Sequence, residues 1–181
     1  SVATNPGLGH EPNAMTLATA DADAVPNARV VLLKRFDDAG FVFFTNYDSR
    51  KGAELAATGH AALLWFWPWM ERQVRAVGPI EKVAAELSDA YFADRPRKSQ
   101  LGALASAQSQ PTSRQALEQR LADLEAQYQG RDIPRPPHWG GYRVKPTEIE
   151  FWQGRPSRLH DRIVFRRDRP DAPWRRDRLG P

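Results

Sequence analysis

Residues 28–45 read ARVVLLKRFDDAGFVFFT, and their pattern decides the fold. Two runs rich in β-branched, aliphatic and aromatic residues, Ala28–Arg35 and Phe41–Thr45, flank the turn-forming stretch Asp37-Asp-Ala-Gly40. Apolar runs of this length bounded by Asp and Gly predict two strands joined as a hairpin. Toward the amino terminus, Met15–Thr19 is a further strand candidate, separated by the polar turn Asp21–Pro26, and residues 1–12 carry Gly, Pro and Asn without periodicity, as an extended arm does. Toward the carboxyl terminus, Asp48 or Ser49 offers an N-cap for a short helix through about Ala57, ended by Gly59. Ala61–Trp67 and Glu71–Val83 predict two more strands, joined at Pro68-Trp69.

Helical spacing then takes over, in Ala84–Ala93, Arg97–Ser106 after Pro96, and Ser113–Tyr128. The last sets Leu117, Leu121, Leu124 and Tyr128 on one side, which predicts an amphipathic helix with one buried face. Beyond the Pro-rich connector Ile133–Pro137, strand texture returns in Gly141–Val144, Glu148–Trp152, Arg158–Arg166 and Trp174–Arg178. Five strands, then helices, then strands again lack the βαβ alternation of a parallel sheet. The expectation is an α+β fold, mainly β with flanking helices: an antiparallel sheet closed into a barrel, one domain over 13–181 with a helical insertion at about 84–128.

Composition narrows the function. With 181 residues the chain has one domain's worth of polypeptide, and its six Trp, eight Phe and four Tyr are too much apolar bulk for a disordered segment. Its longest apolar run, around Ala61–Trp69, is interrupted by Pro68 and falls short of a bilayer span, so no membrane partner is expected. Residues 1–10 have neither a basic start nor an apolar stretch, and the expected location is cytoplasmic. The absence of cysteine excludes disulfides, thiol catalysis and thiolate metal sites. The four histidines, His10, His60, His138 and His160, are scattered, and no metal site is expected. Of 26 cationic residues 21 are Arg, the planar fork suited to phosphate and carboxylate. They are spread along the chain among 22 acids, which argues against a nucleic-acid stripe. GxGxxG, P-loop, HExxH and GxSxG motifs are all absent.

Four clusters stand out. Arg29 and Lys34 bracket four aliphatic residues, with Arg29 and Val31 on one face of a strand and Lys34 on the other. They call for an anion if buried, or are the solvated ends of an ordinary strand. Arg50 and Lys51 fall in the first turn of a helix, where cations oppose the helix dipole and a bound phosphate would reverse the penalty; two solvated cations are the alternative. Tyr91 and Arg95 share a helix face, and Ser99 follows Pro96, so hydroxyl, guanidinium and hydroxyl could cage one phosphate monoester. Arg158, His160 and Arg162 alternate onto one face of the predicted strand that follows Phe151 and Trp152, and they need acidic partners or an anionic ligand.

Taken in order, RVVLLK, FFTNYDSRKG, ERQVRAVGPIEKV, YFADRPRKSQLGALASAQS, HWGGYRV, EIEFWQGRPSRLHDR and the closing DRLGP resemble the pyridoxine/pyridoxamine 5′-phosphate oxidase family over nearly the whole chain. The resemblance implies an FMN-binding split barrel that works as a homodimer with flavin at the subunit interface. It implies oxidation of pyridoxine 5′-phosphate or pyridoxamine 5′-phosphate to pyridoxal 5′-phosphate by O₂, giving H₂O₂. It places flavin contacts at Arg29, Val30, Lys34, Phe44, Thr45, Arg50, Lys51, Gln73, Gln108, Ser109, Trp152 and Arg162. Substrate contacts fall at Lys34, Tyr91, Arg95, Ser99, Arg158 and His160, with Arg158 and His160 as the catalytic candidates. Phe44 stands where family members often carry Tyr. A split-barrel oxidase acting on another ring system, such as a phenazine precursor, is the alternative. Lys34 together with Tyr91, Arg95 and Ser99 favours a phosphorylated vitamer. A non-catalytic flavin- or pyridoxal-phosphate-binding module could dispense with Arg158 and His160, and both are present.

Overall fold

The computed structural model describes residues 11–181, so the expected arm over 1–12, and His10 with it, lies outside the described residues apart from Glu11 and Pro12. Six strands come first: β1 (Ala14–Ala20), β2 (Pro26–Leu32), β3 (Arg35–Asp37), β4 (Gly40–Asn46), β5 (His60–Trp67) and β6 (Arg72–Lys82). Helix α1 (Arg50–Thr58) lies between β4 and β5. Three helices follow, α2 (Ala85–Ala93), α3 (Arg97–Ala105) and α4 (Arg114–Gln127), and then β7 (Trp139–Val144), β8 (Glu148–Gln153), β9 (Asp161–Arg166) and β10 (Arg175–Arg178).

All strand pairs are antiparallel, and the main sheet runs β10-β9-β8-β6-β5-β1-β2. Strand β6 makes this a split barrel. Along one edge Arg72–Pro79 pair with β5; along the other, Arg72–Val77 pair with β8 and Ile80–Lys82 with β7, which continues through β4 to β3. The β7–β8 connection crosses at the change of partner. There the Lys145 N–H donates to the Pro79 carbonyl and the Thr147 N–H to the Val77 carbonyl, both at 2.8 Å. Gly78 lies under this crossing, and a β-carbon on it would run into the Lys145 carbonyl.

The alternation of each strand sends one row inward. Met15, Leu17, Phe43, Leu63, Trp65, Ala76, Tyr142 and Val144 are buried together, with Leu55 of α1 closing the cluster. A second cluster, built on Phe92, Leu101, Leu124, Ile133 and Trp139, packs the helices against β7. Each large apolar side chain so buried contributes about 1.5–3 kcal/mol. Helix α1 is set by its caps. Ser49 accepts from the Gly52 N–H, and Gly59, at φ +67°, returns its N–H to the Leu55 carbonyl.

Three expectations are corrected. The strand expected over Ala28–Arg35 is two strands. The Leu33 N–H donates to Asn13 beside β1, whereas the Lys34 N–H donates to Val42 of β4, so the chain changes neighbours between these residues. The strand expected over Arg158–Arg166 begins only at Asp161: Pro156–Arg158 form a 3₁₀ turn in which Ser157 and Arg158 have φ of +58° and +61°. Left-handed residues cannot continue a ladder, so Arg158, His160 and Arg162 do not alternate along one strand. Helix α4 buries only Leu124 fully; Leu117, Leu121 and Tyr128 are half-buried.

Candidate active site

A cavity of about 950 Å³ opens between β2, the end of β4, the start of α1 and the α2–α3 corner. That is the size of a site for a cofactor together with a small substrate. Lining residues include Arg29, Val30, Lys34, Phe44, Thr45, Arg50, Lys51, Tyr91, Arg95, Ser99, Gln108 and Ser109. The fold thus brings together, in one chain, twelve of the residues singled out in the sequence.

One wall is ionic. Arg29 on β2 and Arg50 on α1 converge on Glu54, one α-helical turn beyond Arg50, at 3.0 and 2.9 Å. Glu54 is 3% exposed and also accepts from Thr19 and from Asn27 Nδ2 at 3.0 Å. Burial pushes its carboxyl up, but the hydrogen bonds from Thr19, Asn27, Arg50 and Arg29 outweigh that and hold it at about 2. Lys51 is in no salt bridge with a described carboxylate. Its Nζ donates to Gln108 Oε1 at 2.9 Å and Ser49 Oγ at 3.2 Å, and burial and the nearby Arg29 draw its pKa down against the pull of Glu54. The 106–112 loop is anchored here too: Ser109, in the left-handed region at φ +72°, accepts from the Arg50 N–H at 3.2 Å.

The other wall is aromatic. The Phe44 ring stacks on Tyr91 at 4.0 Å and on Trp139 at 5.5 Å, and Gly141, across from Phe44 on β7, leaves room for that ring. The Arg95 guanidinium lies 4.7 Å over Trp139. Its Nη1 is buried without a hydrogen-bond partner among the described residues, and burial lowers its pKa from the ordinary guanidinium value. Ser99 and Lys34 line the same cavity, and neither Arg95 nor Lys34 is in a salt bridge with a described carboxylate.

The remaining five residues do not line this cavity. Gln73, Trp152 and Arg162 sit directly opposite one another across β6, β8 and β9, and so share a face. The His160 ring is 4.8 Å from that of Trp152, and its Nδ1 accepts from the Arg155 N–H. Arg158 is exposed in the preceding turn. Arg162 donates to the buried Glu150 at 2.7 Å, and Arg75 donates to the same carboxylate at 2.8 Å. These bonds hold the Glu150 pKa below the usual range despite burial, Arg162 contributing most. Through the pairs Phe66–Gln73, Leu64–Thr16 and Thr16–Val30 this face continues to Phe66, 55% exposed, and Val30, 67% exposed. Among the described residues no group of three His, Asp or Glu is placed to hold a metal ion, and no helix is long and apolar enough to cross a membrane.

Sequence reasoning missed Glu54 and Trp139, and it singled out Glu150 beside Trp152 without assigning it a role. Glu54 could have been found from its i,i+4 spacing to Arg50, whereas Trp139 and the bonds of Glu150 show only through their tertiary neighbours.

Fold and site together define a split-barrel protein whose cavity has an ionic wall suited to a phosphate and an aromatic wall suited to a planar ring. Residues 8–153 match the pyridoxamine 5′-phosphate oxidase family, and residues 139–181 match the pyridoxine 5′-phosphate oxidase C-terminal dimerisation region. The chain belongs to the pyridoxamine 5′-phosphate oxidase family. It is 59% identical over 173 residues to the pyridoxine/pyridoxamine 5′-phosphate oxidase of Rubrobacter xylanophilus, covering 95% of this chain and 79% of that one. It is 60% identical over 171 residues to the Bordetella avium protein of the same name, covering 94% and 80%. Among solved structures it resembles PhzG from Burkholderia lata in complex with tetrahydrophenazine-1-carboxylic acid, with a TM-score of 0.88, 36% identity and coverage of 95% of this chain and 84% of that one.

Proposed function

We propose that the chain is an FMN-dependent oxidase converting pyridoxine 5′-phosphate or pyridoxamine 5′-phosphate to pyridoxal 5′-phosphate, with O₂ as acceptor and H₂O₂ as product. The observation that carries the reading is that one cavity is lined both by Arg29, Arg50 and Lys51, gathered around Glu54, and by Lys34, Tyr91, Arg95 and Ser99, which supports a cage for each of two phosphorylated ligands. The buried, unpartnered Nη1 of Arg95 is a donor awaiting an acceptor, and the three-cation wall suits a phosphate monoester. These residues fit FMN and the substrate phosphate respectively. FMN, when bound, supplies the two-electron acceptor that no side chain of this chain provides.

The protein's own part is to bind and orient. Arg95, with Lys34, Tyr91 and Ser99, fixes the substrate phosphate and thereby the ring attached to it. The second face, with Gln73, Trp152, Arg158, His160 and Arg162, meets the cavity of a partner copy, so each site is completed by two chains. The exposed Val30 and Phe66 on that face, and the match to a dimerisation region, support this. Because His160 Nδ1 accepts from a backbone N–H, the neutral ring carries its proton on Nε2. In this reading His160 would present Nε2–H as a hydrogen-bond donor to the substrate's alcohol oxygen, with Arg158 beside it.

The test is anaerobic. FMN-loaded protein given either vitamer should lose its yellow absorbance, then regain it with formation of H₂O₂ and pyridoxal 5′-phosphate when air is admitted. The likeness to the Burkholderia lata protein makes tetrahydrophenazine-1-carboxylic acid the competing substrate. Bleaching by that compound and by neither vitamer overturns the substrate assignment, and failure to bind FMN overturns the cofactor.

A further inference from the structure

Glu54 is a buried carboxylate behind the cavity wall, bonded to two arginines that line it, and its surroundings fix what it can do. Oε1 accepts from Asn27 and Arg50, and Oε2 from Thr19 and Arg29. The four acceptor positions of a carboxylate are thereby filled, which leaves none for a ligand and none for carrying a proton in catalysis. Two of its donors are guanidinium groups from elements far apart in sequence, β2 and α1, and both arginines line the cavity. Arg29 is further tied by Nη1 to the Thr19 hydroxyl.

We propose that Glu54 is a positioning residue for the cofactor phosphate: it clamps the Arg29 and Arg50 guanidinium groups side by side, so that the phosphate cage stands assembled before the ligand arrives. Two guanidinium groups converging beside Lys51 without an anion would repel one another and swing toward solvent. With Glu54 between them, three cations and one carboxylate leave a net charge of two positive, which matches a phosphate monoester near its dianion form. Holding the donors in place beforehand spares the side-chain ordering that binding would otherwise cost. The inference rests on the FMN reading above and adds to it a residue that touches neither ligand.

Riboflavin, which lacks only the phosphate, separates the two. Dissociation constants for FMN and riboflavin are measured on the apoprotein by quenching of flavin fluorescence, and their ratio reports the phosphate cage alone. Glu54→Gln should lower the preference for FMN by about tenfold or more while leaving riboflavin affinity as in the unaltered protein. Glu54→Asp keeps the charge, but its stem is too short to reach both arginines; it should also lower the preference, and it serves where the glutamine variant does not fold. In the Glu54→Gln background, Arg50→Gln should cost less of the remaining preference than it does alone, because the two act as a unit. An unchanged ratio in either Glu54 variant overturns the proposal. So does an equal weakening of both flavins, since that is what a merely structural residue would give. If the unaltered protein itself shows no preference for FMN over riboflavin, the cofactor reading fails instead.

Discussion

Arg95 is placed where function and stability pull in opposite directions. Its Nη1 is buried without a partner among the described residues, and burial lowers the guanidinium pKa, so the apoprotein carries an unsatisfied cationic donor. An unmet buried donor costs about 1–3 kcal/mol. Against this stands the cation–π contact over Trp139, worth about 0.5–2 kcal/mol between an exposed and a desolvated site. Replacing Arg95 by Met keeps the linear stem and its contact with the indole while removing the donor. The difference predicts a gain of about 1 kcal/mol, which raises the melting temperature of a chain this size by about 2–4 °C. On the proposed function the same change would remove a charge-assisted contact to the substrate phosphate, worth about 1.5–3 kcal/mol, and should raise the Michaelis constant roughly 10- to 100-fold. Thermal melts of the apoprotein at low salt and without phosphate, beside steady-state kinetics of the FMN-loaded enzyme, measure both. A variant that melts lower than the parent refutes the reasoning, because Arg95 would then be satisfied in the apoprotein.

Glu54 should shape the acid limb of the stability curve. Its carboxyl is held at about 2 against an ordinary 4.5, so it stabilises the fold above about pH 4.5 and loses that contribution as the pH falls toward 2. The loss is at most about 3 kcal/mol, and denaturant unfolding of Glu54→Gln between pH 5 and 2.5 should show a correspondingly flatter curve; parallel curves would show that the carboxylate is not held. Phe66→Asp puts a charge on the exposed face shared with Gln73 and Val30, and sedimentation should show monomers that have lost FMN but melt much as before. A flavin-loaded dimer would exclude that face as the interface. Gly78→Ala should destabilise by at least about 1–3 kcal/mol, because its β-carbon meets the backbone of the β7–β8 crossing, and an unchanged melting temperature would show that the crossing can give way.

Much of this was legible locally. The β4 strand, its preceding turn and helix α1 with its Ser49 cap follow from residues within a few positions of one another. Arg50 and Lys51 were conspicuous because a helix start disfavours cations, and the structure places both on the cavity wall. What escaped was tertiary. Nothing local marks Leu33-Lys34 as the place where the chain leaves β1 for β4, since both residues suit a continuous strand; the break is set by Asn13 and Val42. Arg158 looked like strand because its neighbours alternate, but the turn that starts at Pro156 puts it in the left-handed region. The stripe on α4 was read correctly as apolar, but its burial depends on how much of α3 covers it.

The double allegiance of β6 also bears on the order in which the chain folds. The β1–β2, β5–β6 and β8–β9 hairpins join neighbours in sequence and can form early. Pairing Arg72 with Gln153 must instead wait for the whole α2–α4 segment to be drawn in, and closing such long loops is slow. Tyr91, Arg95 and Ser99 travel with that segment, whereas Arg29, Arg50 and Lys51 belong to the early half. The two walls of the cavity therefore meet only in the last, non-local step. In refolding, circular dichroism from the hairpins should recover well before the protein regains the power to quench a flavin.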